Sequence, residues 1–244
     1  MPNLHHENQK LRGIVRGLLV VSCLSISLTP TSRGETIIAP GIGDPGSSYA
    51  GKTYSEWSAA WWRYLMSLPT TNNPLLYNPA HPFIPMSTGQ RGTVWFTGGD
   101  FGGKAPNTQN YTNTIPGDVS LFVGIESFES DNANCPNPGT ANTDELLTNI
   151  RAKENSVTNT ACTIDDFPVV DLTNVMTTPY RVQASFDFSC PAVHNYPYDF
   201  DTNGDLSCYQ NISGTPYVVS GAASDGVFLM IAPLMPGSHV IHYE

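Results

Sequence analysis

The chain is poor in cations and in charge of any kind. Lys and Arg number 11 against 21 Asp and Glu, and charged residues make up only 13% of 244 positions, about half the ~25% of an ordinary soluble domain. The net charge of −10 excludes the basic face that nucleic-acid binding demands. The one strongly apolar stretch, Leu18–Leu28, has eleven residues, where a membrane-spanning helix needs about 20. No Cys-x-x-Cys, His-Glu-x-x-His or Gly-x-Ser-x-Gly is present. Their absence removes the thioredoxin-type redox pair, the zinc-protease helix and the hydrolase nucleophile elbow.

Turn formers and aromatics are abundant. There are 21 Gly, 20 Pro, 11 Tyr, 10 Phe and 4 Trp, an aromatic load that excludes disorder. With many Thr, Asn and Ser, the composition predicts a mainly β fold, an antiparallel sandwich or distorted barrel.

Residues 1–34 read as a signal peptide. Lys10, Arg12 and Arg16 form a positive n-region before the apolar core, and Ser32 and Gly34 place cleavage near Gly34. An alternative lipobox at Val20–Cys23 is interrupted by Arg16 too early and continues apolar too far. Cleavage leaves residues 35–244 as one β-rich domain with 7 basic and 20 acidic residues, in a secreted or periplasmic location. It also leaves an even set of cysteines: Cys135, Cys162, Cys190 and Cys208. In an exported chain these predict two disulfides. Of three pairings the sequential one, Cys135–Cys162 and Cys190–Cys208, closes loops of about 20–30 residues, each worth ~3 kcal/mol.

Two helices stand out. Thr53 and Glu56 have capping-box spacing, and Trp57, Ala60, Trp61, Tyr64, Leu65 and Leu68 recur at helical intervals up to the Pro69 stop. Thr143–Glu154 is the second, with Asp144 and Glu145 in its first turn and Leu146, Leu147 and Ile150 on one side. Strands are expected at Thr93–Thr97, Val119–Ile125, Tyr180–Phe188, Val227–Ile231 and Ser238–Tyr243. A hairpin is expected to join Thr163–Ile164 to Val169–Leu172 around Asp165–Asp166. Tyr180, Val182, Ala184, Phe186 and Phe188 alternate with polar residues, so one face of that strand is buried.

Candidate chemistry is sparse. Gly98–Lys104 approaches a phosphate loop, but Ala105 replaces the metal-binding hydroxyl and Pro106 opposes the helix that must follow. Asp199, Asp201, Asn203 and Asp205 place oxygens at alternate positions around Gly204 and form a candidate Ca2+ loop, with Gln210 where a bidentate Glu belongs. The plainer reading is a polar Asn-Gly turn. His239 and His242, three apart on a strand, face opposite ways. Glu56, Glu126, Asp225 and His239 are candidate binding or acid/base groups, as in glycoside hydrolysis. Trp62, about 100° from Trp61 around the helix, is a candidate stacking platform, against the commoner use of a large ring in core packing.

Glu56-Trp57-Ser58 with Trp61-Trp62, Gly89-Gln90-x-Gly92-x-Val94-Trp95-Phe96, Ile115-Pro116-Gly117, Tyr180-Arg181-Val182, Asp225-Gly226 and Pro236-Gly237-x-His239-x-Ile241-His242 resemble a family of uncharacterised secreted bacterial proteins. The resemblance touches most of the chain after residue 34. It implies export and a compact, mostly β fold, with no catalytic residues to carry over. This chain departs from the family in ending just after Tyr243-Glu244, where relatives continue into a further strand. The functional expectation is a non-enzymatic binding or envelope/matrix protein with an extracellular ligand or envelope component as partner. The alternative is a secreted hydrolase acting on a polymer such as a polysaccharide.

Overall fold

The computed structural model describes residues 9–12, 41–76, 84–98, 112–133, 139–200 and 215–244. Two open sheets carry the fold. The larger has the order β2 (Val94–Gly98), β4 (Ser120–Asp131), β8 (Tyr217–Ile231), β7 (Arg181–Cys190). The smaller has the order β3 (Thr112–Asn113), β1 (Gln9–Arg12), β9 (Ser238–Tyr243), β5 (Cys162–Ile164), β6 (Phe167–Pro168). Neither sheet closes on itself, so the architecture is sandwich-like and not a barrel.

The sheets are not purely antiparallel, as the sequence had suggested. β2 runs parallel to β4, with Val94 opposite Ser120 and Gly98 opposite Gly124. The long connection between them is of the length a parallel crossover requires. β1 is a second departure, since it falls within the expected signal peptide. It pairs antiparallel with β9 and parallel with β3, a pairing available only to the uncleaved chain.

β4 and β8 form the centre, and both faces of this sheet are covered. On one face lies α1 (Tyr54–Ser67), begun by the expected capping box: the Thr53 N–H donates to Glu56 Oε2 at 2.8 Å and the Glu56 N–H to Thr53 Oγ1 at 3.3 Å. Trp57, Trp61, Leu65 and Met66 pack there against Phe122, Phe228 and Met230. Gly124 eases the close approach of the Trp61 ring, from which a Cβ would lie 3.2 Å away, a tight contact. On the opposite face Leu121, Val123, Val227, Leu229 and Ile231 meet Cys162, Ile164, Leu172 and Ile241 from the smaller sheet and its flanking turn. Farther along this face α2 (Thr143–Glu154) seats Leu146, Leu147 and Ile150 against Ala223 and Phe128.

Two bulges set which side chains share a face. Between Gly124 and Glu126 the register slips by one residue, and Glu126 pairs with Val227. A regular strand would have turned Glu126 towards α1; the bulge turns it away. Gly221, at φ +85°, accompanies a slip between β7 and β8, and its N–H donates to Asp187 Oδ1 at 2.8 Å.

The free edges of the larger sheet are blunted by side chains. Gln90 accepts from the Phe96 N–H at 2.9 Å and donates to the Phe96 carbonyl at 2.6 Å, completing β2 as a neighbouring strand would. On β7, Ser55 and Arg63 donate to the carbonyls of Gln183 and Asp187. Such capping denies a second chain a template for pairing. No helix among the described residues is long and apolar enough to cross a membrane.

The expected disulfides are not present among the described residues. Cys162 and Cys190 are buried free thiols; Cys135 and Cys208 lie outside the described residues. Cys162 points into the core between the sheets and Cys190 packs under α1, each 2% exposed. Burial pushes both thiols up to about 12, so they act as small core hydrophobes.

Candidate functional site

At one end of the sandwich the two sheets part around a cavity of about 310 Å³. β2 supplies Trp95, the turn after β3 supplies Ile115, Pro116 and Gly117, and the turn before β9 supplies Leu234, Met235, Pro236 and Gly237. Leu121 and Val119 complete the apolar lining; Asn113, Thr114 and His239 are its polar members. Met235 is 79% exposed, a large apolar side chain turned to solvent.

His239 is engaged at both ring nitrogens. Nδ1 lies 2.6 Å from Asp165 Oδ2 and Nε2 lies 2.6 Å from the Met235 carbonyl. A carbonyl only accepts, so Nε2 carries a proton; a carboxylate at 2.6 Å calls for one on Nδ1 as well. Burial pulls the imidazole pKa down, but the Asp165 hydrogen bond, the Met235 carbonyl and the Asp165 charge together outweigh it and raise the pKa. When protonated, His239 donates from both nitrogens and ties the turn before β9 to the β5–β6 turn, which leaves it no free lone pair. Asp165 Oδ1 also accepts the Val240 N–H at 2.8 Å. Asp165 and Asp166 take φ of 51° and 68°, the left-handed pair of a tight hairpin, so the turn forms where the sequence predicts it. Its second strand, Phe167–Pro168, comes earlier than Val169–Leu172.

The other candidate groups go elsewhere. Glu56 is the exposed cap of α1; the Thr53 N–H, the Thr53 hydroxyl and Lys52 hold its carboxyl below the usual range. Trp62 is no surface platform. It is 3% exposed, stacked edge-on to Trp61 at 5.2 Å, and it donates from Nε1 to Ser127 Oγ at 3.2 Å, because the helix lies between a sheet and the turns that follow it. Asp199 accepts from the Thr70 hydroxyl and lies 3.9 Å from His194 Nδ1. Asp201, Asn203 and Asp205, the rest of the candidate calcium loop, lie outside the described residues. Among the described residues no group of three or more His, Cys, Asp or Glu could hold a metal ion.

Glu126 and Asp225 are brought together, on the face opposite α1 and against α2. Asp225 is fully buried and receives a bidentate Arg181, Nε to Oδ1 and Nη2 to Oδ2, both at 2.7 Å, plus the Gln183 amide at 2.8 Å. A third carboxylate, Glu154, completes the cluster. It ends α2 with 0% exposure, and neither of its oxygens has a hydrogen-bond partner. Sequence reasoning missed it, although a signal existed: Leu147, Ile150 and Glu154 follow each other at spacings of three and four, so a carboxylate occupies a position on the apolar stripe. Burial pushes Glu126 up to about 7. Burial first, then the Glu126 and Asp225 charges, push Glu154 up to about 8 against the pull of Arg181. A glycosidic bond must reach two carboxyls; here Asp225 and Glu154 are closed off by protein, and Asp225 is locked to Arg181.

Comparison with protein families, with curated proteins and with solved structures finds no match for this chain.

Proposed function

We propose that the chain is an exported, non-enzymatic binding protein that takes a small, mainly apolar ligand into the cavity at the β2–β9 end of the sandwich. One observation carries the reading. Trp95, Ile115–Gly117 and Pro236–His239, three separate segments that carry the family resemblance, converge on one cavity. Its size and lining fit the usual form of a small-molecule site, apolar with a few fixed polar groups. The ligand's apolar body would contact Trp95, Ile115, Leu121 and Leu234, and a single polar end would meet Asn113 or Thr114. His239 supports the binding reading over hydrolysis, since both its nitrogens are committed to holding the turn. Export rests on the leader-like residues 1–34. It is checked by sequencing the N-terminus of the protein recovered from outside the cytoplasm, expected at Glu35.

The test is thermal unfolding of the purified protein with a panel of small aliphatic and aromatic compounds beside a panel of oligosaccharides. A ligand at a hundredfold excess over its Kd stabilises the native state by about 2.7 kcal/mol. Binding at the cavity predicts a rise in Tm with apolar compounds and no turnover of either panel. Hydrolysis of an oligosaccharide, or stabilisation by glycans alone, would return the reading to the polymer hydrolase.

A further inference from the structure

We propose that the C-terminal turn of α2 is a proton-operated latch, held against β4 and β8 while Glu126 and Glu154 are protonated and released when they ionise. This is independent of the cavity and its ligand.

The placement of Glu154 is the starting point. It is the last residue of α2, fully buried, with both carboxyl oxygens unpartnered. A negative charge there is opposed twice, by desolvation and by the negative end of the helix dipole. The charged groups facing it come from every neighbouring strand: Glu126 from β4, Asp225 from β8 and Arg181 from β7. On its own helix, the exposed Arg151 donates to Gln183 Oε1 at 3.3 Å, with no bond to Glu154. Arg181 gives its bonds to Asp225, to Asn155 Oδ1 at 2.7 Å and to the Val175 carbonyl at 3.5 Å, and none to Glu154. Arg181 and Asp225 thus neutralise each other, and Glu154 remains fully buried with no cation of its own, the half-buried Glu126 carboxyl facing it. Protonation is the remaining way to bury Glu154.

The direction of the effect follows from the same geometry. Both carboxyls are pushed up, to about 7 and about 8. Between the ordinary carboxylate range and those values the folded chain holds protons that the unfolded chain has lost. Their stabilisation is complete at pH below about 4.5 and is withdrawn as pH rises through about 7 to 8. The turn around Glu154 is held by local bonds such as the Val157 N–H to the Glu154 carbonyl at 3.1 Å and by the Arg181 bond to Asn155, with few apolar anchors of its own. The front of α2 keeps its apolar anchors, Leu146, Leu147 and Ile150.

Hydrogen exchange of the full chain, corrected for the intrinsic pH dependence of exchange, tests this. Amide protection over residues 151–157 is expected to fall by about tenfold or more between pH 5.5 and pH 8.5, while α1 stays protected. Glu154→Gln is expected to keep its protection at pH 8.5, and Glu126→Gln to lose only part of it. Protection in the wild type that does not change with pH overturns the proposal. So does a Glu154→Gln profile that follows the wild type. If Glu154→Gln does not fold, Glu126→Gln carries the test by the same criterion. A wild-type profile that flattens in EDTA would assign the site to a bound metal ion and also overturn the latch.

Discussion

The two faces of the central sheet are built on different terms. Under α1 the core is aromatic, and the polar tips of its large rings are bonded. Trp57, Trp61 and Trp62 donate from their indole nitrogens to the Tyr49 carbonyl, the Thr97 carbonyl and Ser127 Oγ. The Tyr54 hydroxyl donates to the Gly43 carbonyl and accepts the Met230 N–H. The opposite face is aliphatic in the middle, open at one end around a cavity, and charged at the other around Asp225 and Glu154. Bonded ring tips let the α1 face gain stability from burial at little cost, although Glu129 Oε1 lies buried on that side without a partner. A face that keeps a cavity and unpaired buried carboxyls gives up stability, and such places are where function is sought.

Truncation should separate the faces most sharply. Trp61→Ala removes a ring with 0% exposure from above Gly124 and should cost about 3–5 kcal/mol by urea unfolding, equally at pH 6 and pH 8. A small or pH-dependent loss would mean that the α1 face is not the rigid half. Arg181→Met, on the other face, strands the buried Asp225 carboxylate and should cost about 3 kcal/mol. Adding Asp225→Leu should recover most of that loss, because it is the orphaned charge that costs. A double variant as unstable as the single one would show that the pair contributes attraction beyond its mutual neutralisation.

His239 gives a smaller effect. Its folded pKa is raised, so its contribution is complete below its ordinary value near 6.5 and is lost as pH rises through the folded value. With Asp165 partly exposed, His239→Gln should cost about 1 kcal/mol at pH 5.5 and less once the pH has risen through the folded value. The thiols give the smallest effect. Cys162 and Cys190 should resist alkylation in the native protein, and mass mapping should find both labelled once urea is added. Labelling of either in the native state would place it outside the core.

The legible and illegible parts of the fold divide along the same line. The capping box at Thr53/Glu56, the acidic first turn at Asp144 and Glu145 and the helical spacing of large apolar residues place α1 and α2 closely. Alternation in β7 likewise gives its faces. β4 and β8 extend well beyond the stretches expected of them. In their polar portions Glu126, Ser127, Ser224 and Asp225 are buried or half-buried beneath other layers, and no local pattern announces that. The Gly124–Glu126 bulge is equally silent, yet it decides that Glu126 joins Asp225 and does not face α1. The cavity was visible only as scattered Pro-Gly turns, because its walls come from segments more than a hundred residues apart.

Trp95 is the indole that lines the cavity, while Trp57, Trp61 and Trp62 lie buried beneath α1, so Trp95 is a built-in reporter. Gly117 also lines the cavity, and a Cβ there meets nothing within 4 Å, so the bulk of Gly117→Phe is tolerated at the backbone and is placed at the cavity's rim to obstruct it. The decisive measurement is a fluorescence titration with an apolar compound selected by thermal shift, on the wild type, Trp95→Phe and Gly117→Phe. The account predicts a saturable change in the wild type, no fluorescence change in Trp95→Phe despite a retained Tm shift, and loss of both signals in Gly117→Phe at unchanged stability. Equal binding by the wild type and Gly117→Phe would contradict it.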